Sequence, residues 1–243
     1  MPESGLPSGD PFRMDKYLNT SYQTSALSAS RNKVLRNTYL LLALTMIPTI
    51  VGALMGINMS FGFMRASPIM SSVAMLAAIY GMFFLIEKNR DSGLGVALLL
   101  ALTFMLGVLL GPLLQVALSL RNGGQLITLA AGGTAVVFFA MATLSTVVKR
   151  DLGFLNKFMV VGGIVLMVAV VANIFMQIPA LHLTLCAGFI LFSSAMILLQ
   201  LKQIVEGGET NYVSATLTIY MGIYNIFSSL LQILLAVSGQ SRD

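Results

Sequence analysis

Apolar runs of about twenty residues alternate with short polar breaks from residue 39 to residue 237. The runs cover 39–59, 67–86, 94–118, 125–148, 154–176, 180–201 and 212–237. A helix rises ~1.5 Å per residue, so each run is long enough to cross a hydrocarbon core ~30 Å thick. The breaks "EKNRDSG" (87–93), "SLRNGG" (119–124) and "VKRDLG" (148–153) carry charge or glycine and end helices. None is large enough for a separate soluble domain. The pattern predicts an all-α integral membrane protein, a seven-transmembrane-helix bundle over 39–237. Residues 1–38 are expected to form a disordered cytoplasmic N-terminal tail, and 238–243 a short C-terminal tail.

The seventh run differs from the others. In "GGETNYVSATLTIYMGIYNIF" (207–227), Asn211, Ser214, Thr218, Gly222 and Asn225 follow one another at steps of three or four, and Ser229 continues the row. They therefore share one helix face. A second row, Tyr212, Thr216, Tyr220 and Tyr224, stands about 60–100° around the same helix. Hydroxyls and amides facing hydrocarbon need hydrogen-bond partners. A helix polar on two rows is thus expected at the centre, with the other six helices around this central seventh, and its polar face is expected to serve as a packing stripe. Gly207-Gly208 should end the sixth helix, because glycine accepts the left-handed position past a helix end. Thr210 or Asn211 should cap the seventh, with Glu206 and Glu209 near its positive end. The functional alternative for those two glutamates is a cation-attracting cytoplasmic mouth.

Small residues mark close helix approaches. "GALMG" (Gly52, Gly56) and "GVLLG" (Gly107, Gly111) are pairs at one-turn spacing that let backbones meet. Gly111-Pro112 should interrupt the third span, since proline lacks the N–H and clashes with the turn before it.

Composition closes off other classes. Hydrophobic residues are 57% of the 243 residues and charged ones 9%, against about 25% charged in soluble domains; the mean hydropathy is +0.88. The net charge of +5 reflects topology rather than a nucleic-acid partner. Arg13, Lys16, Arg31, Lys33, Arg36, Lys88, Arg90, Lys149, Arg150, Lys157 and Lys202 fall on one side of the seven spans, and only Arg65, Arg121 and Arg242 on the other. The positive-inside rule then puts the N-terminus in the cytoplasm and the C-terminus across the membrane. The basic tail suits anionic lipid headgroups, and the lipid bilayer is an expected partner. The polar opening stretch carries no apolar core of a cleavable signal, so the tail is expected to stay attached.

Catalytic chemistry is not evident. All nine carboxylates lie outside the apolar runs, which gives a buried proton or ion relay no support. Cys186, the single cysteine, reads as a small core residue, and His182 as a hydrogen-bonding group near a span end. No Ser/His/Asp set, HExxH, metal-ligand spacing or phosphate-binding loop is present. No enzyme activity, catalytic residue, metal or cofactor is expected.

Several stretches together resemble a known family: "KVLRNTYLLLALT" (33–45), "GPLL" (111–114), "GGTAVVFF" (132–139), "ANIFMQIPALHL" (172–183), "GGETNYVSATLTIYMGIYNIFSSLLQIL" (207–234) and the closing "SRD". The chain is similar to the Bax inhibitor-1 (transmembrane BAX inhibitor motif) family, and within it to the bacterial YccA-like branch. That resemblance implies a multi-pass protein of the bacterial cell inner membrane. It also implies a non-enzymatic role in membrane protein quality control, as substrate and modulator of the ATP-dependent protease FtsH and its HflK–HflC companions. The alternative it carries is a calcium or proton leak channel. Calcium-leak members of the wider family have two aspartates, at the end of the sixth span and in "LYLDIYN" of the seventh. Gln200 and Gly222 stand at those positions here, so the resemblance implies a lost carboxylate latch.

Overall fold

The computed structural model describes residues 11–62, 66–148 and 153–240. Among these the chain is helical throughout, without strands: α1 Pro11–Asn58, α2 Pro68–Lys88, α3 Gly93–Leu109, α4 Gly111–Leu118, α5 Gly123–Val147, α6 Gly153–Met176, α7 Pro179–Glu206 and α8 Tyr212–Gln240. Seven stretches are long and apolar enough to cross a membrane: Ser30–Asn58, Pro68–Lys88, Gly93–Leu118, Gly123–Val147, Gly153–Met176, Pro179–Glu206 and Tyr212–Gly239. The predicted spans coincide with these to within a few residues, except at the start of the first and the end of the sixth.

The first helix begins well before the first apolar run. α1 is 48 residues long, about 72 Å at ~1.5 Å per residue and more than twice the hydrocarbon thickness. Neither glycine nor proline occurs between Phe12 and Ile47, so nothing in that stretch breaks the helix. Its packed part also begins earlier than residue 39. Val34 and Thr38 are buried, and Arg31 Nη1 donates to the Val205 carbonyl at 3.0 Å. That bond satisfies one of the free carbonyls in the last turn of α7 with a cation, which the helix dipole favours. Residues 1–10 and 241–243, the remaining parts of the expected tails, lie outside the described residues.

The third span is broken where Gly-Pro predicts. Helix α3 stops at Leu109 and α4 starts at Gly111, with the Leu110 N–H shared between the Leu106 and Gly107 carbonyls at 3.1 Å. Pro112 has no N–H to give the Val108 carbonyl, and that carbonyl faces Gly56 of α1. The four glycines of the two small-residue pairs meet here. A Cβ on Gly52 would overlap the Phe104 carbonyl, and one on Gly107 the Thr49 carbonyl. A Cβ on Gly111 would lie 2.8 Å from the Gly56 Cα. The pairs therefore serve an internal crossing of α1 over α3 and α4. Gln115 finishes the joint by donating to the Gly56, Ile57 and Met59 carbonyls at the end of α1, at 3.2, 2.8 and 2.9 Å.

Helix α8 packs against α1, α2, α3 with α4, α5 and α7, while α6 touches only α2 and α7 among the described residues. This packing does not confirm six helices around the last one. The fifth span stands apart from it: 6% of the α6 window is buried, against 39% for Gly93–Leu118. The core lies where α1, α3, α7 and α8 converge, with Leu99, Leu102, Leu106, Ile197, Leu201 and Ile219 essentially inaccessible.

Candidate functional site along the last helix

The polar rows of α8 sort into three levels. At the end shared by the α2–α3 and α7–α8 connections, local sequence sets the geometry. Gly207 adopts φ +83°, and the N–H groups of Gly207 and Gly208 return to the Ile204 and Gln203 carbonyls at 3.1 and 2.8 Å. These paired bonds past the helix end satisfy carbonyls that α7 leaves open, and only glycine takes the left-handed conformation without strain. Three residues later Asn211 caps α8: its Oδ1 accepts the Val213 and Ser214 N–H groups at 2.8 and 3.1 Å.

The same cap ties two connections together. Asn211 Nδ2 donates to Asp91 Oδ1 at 2.7 Å and to the Arg90 carbonyl at 3.1 Å. Ser214 Oγ donates to Glu87 Oε2 at 3.0 Å, and that oxygen also meets Arg90 Nη1 at 3.3 Å. Glu209 accepts from the Asn211 N–H at 2.8 Å and from Gln200 Nε2 at 3.4 Å. Glu206 pairs with Lys202 at 3.3 Å, one turn back on α7. Gln200 thus binds a carboxylate from the following loop. Glu206 and Glu209, the residues of the possible mouth, each hold a partner.

Asn211→Ala should remove both cap and tie. The cap alone is worth about 1 kcal/mol, and the loss should lower the melting temperature in detergent by roughly 3–8 °C once the tether is included. Asn211→Ser keeps a capping oxygen without the reach to Asp91, so it should melt between Ala and the natural protein. If Ser matched the natural protein, the tether would contribute nothing.

At the middle level the second row dominates. Thr216 Oγ1 donates to the Tyr212 carbonyl at 2.6 Å and lies 3.3 Å from the Thr38 carbonyl. The Tyr220 hydroxyl meets Thr49 Oγ1 at 2.8 Å and the Thr103 carbonyl at 3.5 Å, and its ring stacks on Tyr224 at 6.4 Å. Tyr220 is 1% exposed, so this hydroxyl depends on α1 and α3 for its bonds. The first row faces α7 here. A Cβ on Gly222 would lie 2.6 Å from Ile197 Cγ1 and 3.3 Å from the Ser193 carbonyl. Gly222 is therefore where the Ile197 side chain and the Ser193 carbonyl of α7 close on the α8 backbone, and Thr218 beside it is half-buried.

At the opposite end the row opens. Asn225, Ser228, Ser229 and Gln232 line a cavity of about 430 Å³ with Ser72, Asn173, His182 and Cys186. His182 Nε2–H donates to Gln232 Oε1 at 2.6 Å. The structure thus divides the stripe: Asn211 and Ser214 build a knot of loops, Gly222 a tight crossing, and Asn225 a cavity wall. Sequence reasoning missed the Thr49–Tyr220–Thr103 cluster and the cavity, because both join helices far apart in the chain.

Comparison with known proteins extends over the same region. A family model described as "Inhibitor of apoptosis-promoting Bax1" matches residues 31–239. An uncharacterized protein of Neisseria meningitidis serogroup A is 47% identical over 221 residues, covering 90% of this chain and 97% of that protein. A Pseudomonas aeruginosa protein is 43% identical over 215 residues, 87% of this chain and 94% of that protein. The Escherichia coli K12 protein called modulator of FtsH protease YccA is 41% identical over 221 residues, 91% of this chain and 97% of that protein. With the family match running from the start of the first span to the end of the last, the chain belongs to the family of inhibitors of apoptosis-promoting Bax1, the Bax inhibitor-1 family.

Proposed function

We propose that this chain is a non-enzymatic, multi-pass protein of the bacterial inner membrane that binds the membrane-anchored protease FtsH and modulates it. One observation carries the reading: the likeness to the Escherichia coli modulator of FtsH protease runs over 97% of that protein and 91% of this chain. The HflK–HflC complex belongs to the same proposed assembly, and the apolar flank of α6 faces lipid. The N-terminus lies in the cytoplasm with FtsH and the C-terminus across the membrane, on the distribution of Lys and Arg. Packing favours this role over a cation leak. Gln200 and Gly222, at the positions of the altered acidic pair, are engaged with Glu209 and Ile197, and neither can titrate.

The amino-terminal segment is the proposed handle for the protease. Removing residues 1–29 keeps Arg31 and its bond to Val205, so the bundle should stay intact. Affinity-tagged full-length protein should bring FtsH with it in mild detergent, and the shortened one should do the same. In cells the shortened protein should disappear several-fold more slowly, because the unfoldase has lost the segment it pulls. Absence of FtsH from the purified material would sink the interaction. Unchanged turnover with FtsH still bound would move the handle elsewhere.

A further inference from the structure

Below its rim, the α7–α8 seam changes character along its length. On α7, His182, Cys186, Phe189, Ser193, Ile197 and Gln200 recur at steps of three or four, so they form one face. On α8 the facing row is Gln232, Ser229, Asn225, Gly222, Thr218 and Ser214. The seam is pinched where Ile197 sits on Gly222. On the side of the pinch away from the loop knot it widens into the 430 Å³ cavity. A second cavity of about 330 Å³ adjoins it through Ser72, Asn173, Ile174 and His182, and reaches Pro68 and Pro179 at the ends of α2 and α7. The space therefore runs from the end of the bundle to Phe189 and Asn225, on the outer side of the Ile197–Gly222 contact.

The lining mixes apolar side chains, Met75, Leu76, Ile79 and Phe189 among them, with the amides of Asn173, Asn225 and Gln232 and the hydroxyls of Ser72, Ser228 and Ser229. No carboxylate, lysine or arginine lines either cavity among the described residues. An ion there would lose its hydration without a counter-charge, which costs several kcal/mol. A neutral molecule that exchanges hydrogen bonds would not. Asn173 borders both cavities, although its Oδ1 is itself shut off from solvent and accepts no hydrogen bond from the protein. The amides and hydroxyls of the wall offer both donors and acceptors, so the site suits a guest that can exchange both. At about 30 Å³ per water, the larger cavity has room for a cluster of waters or one small solute.

We propose that this outer half of the α7–α8 seam is a hydrated binding site for a small, uncharged solute that hydrogen-bonds to an amide wall including Asn173 and is stopped by the Ile197–Gly222 seal. The proposal is independent of the interaction with FtsH.

The single cysteine makes the test simple. In a Cys186→Ser background, Ser228→Cys puts a thiol on the cavity wall and Val168→Cys puts one on the exposed flank of α6. Only thiolate reacts, and a thiol in hydrocarbon does not ionise. In protein reconstituted into lipid nanodiscs, Ser228→Cys should react with methyl methanethiosulfonate about tenfold faster or more than Val168→Cys. Glycerol or urea at a concentration near its Kd should slow that reaction about twofold, since half the sites are then filled. Adding Asn173→Leu should remove the protection, while tetramethylammonium chloride should give none. Gln232→Cys, nearer the rim, serves as the reporter if Ser228→Cys does not fold. A reporter as inert as Val168→Cys would show a dry cavity and overturn the proposal. Equal protection by tetramethylammonium, or protection that survives Asn173→Leu, would overturn the assigned ligand chemistry.

Discussion

Gly107→Ala should leave little stable protein, although it adds a single methyl group. The new Cβ would overlap the Thr49 carbonyl and lie 3.0 Å from the Thr49 Cα and carbonyl carbon. These are backbone atoms of α1 and cannot rotate away as a side-chain tip would. The two helices must separate, and the neighbouring Gly52–Phe104 and Gly56–Gly111 contacts separate with them. In a membrane, helix association depends on such close dispersion contacts rather than on a hydrophobic drive between helices. The displacement also reaches the polar centre, because Thr49 is the residue that holds the Tyr220 hydroxyl at 2.8 Å. Overpacking typically costs 1–3 kcal/mol; with backbone on both sides, the cost here should exceed about 3 kcal/mol. That corresponds to a fall of roughly 6–12 °C in melting temperature for a chain of this size.

Gly132→Ala supplies the contrast. Nothing lies within 4 Å of the position its Cβ would take, and alanine is better than glycine inside a helix by up to about 1 kcal/mol. Gly132→Ala should therefore be neutral or slightly stabilising under the same conditions. Gly52→Ala, against the Phe104 carbonyl, should behave like Gly107→Ala. If all three variants melted alike, the α1–α3 crossing would not be the close contact described.

Why these glycines were legible and other features were not has a physical basis. A bilayer imposes a length on each span, so the seven runs could be counted, and short-range chemistry marks their ends. Gly207 and Asn211 are cases in which the conformation or the cap is made within a few residues. Gly111-Pro112 is another, since the lost donor and the broken helix are one turn apart. The upstream reach of α1 was hidden for a different reason. Polar composition reports the lack of a buried face and leaves open whether an uninterrupted stretch is helical.

The partners of the polar rows were beyond a single sequence. Row membership follows from the 3.6-residue period, yet Tyr220 finds Thr49, and Asn211 finds Asp91, across more than a hundred residues. Periodicity says which groups share a face; it does not say which helix arrives there. The cavity is hidden for the same reason, because its walls come from α2, α6, α7 and α8. Glu206 is the intermediate case. Its pairing with Lys202 is a one-turn contact open to sequence reading, whereas the bond from Gln200 to Glu209 depends on a loop whose path the sequence leaves open.

Gly222→Leu should lower the melting temperature clearly more than Ile223→Leu, its neighbour on the same helix. At Gly222 even the first added carbon would lie 2.6 and 2.9 Å from Ile197 Cγ1 and Cδ1. Those atoms belong to a side chain that is 0% exposed and wedged in the main core, and a β-branched residue in a helix has essentially one χ1 setting. Ile197 can yield only by disturbing that core, and the Ser193 carbonyl at 3.3 Å closes the other direction. The cost should reach the upper part of the 1–3 kcal/mol typical of overpacking, whereas the volume-conserving change at half-buried Ile223 should cost less than about 1.5 kcal/mol. A double-mutant cycle identifies the partner. Ile197→Ala alone opens a void and should cost about 2–5 kcal/mol, but it also removes both atoms that the introduced leucine side chain would strike. The pair Gly222→Leu with Ile197→Ala should therefore be more stable than the sum of the single changes by about 1–3 kcal/mol. Simple additivity would mean that Gly222 and Ile197 do not press on each other, and the seal between the loop knot and the outer cavity would then lie at another level of the seam.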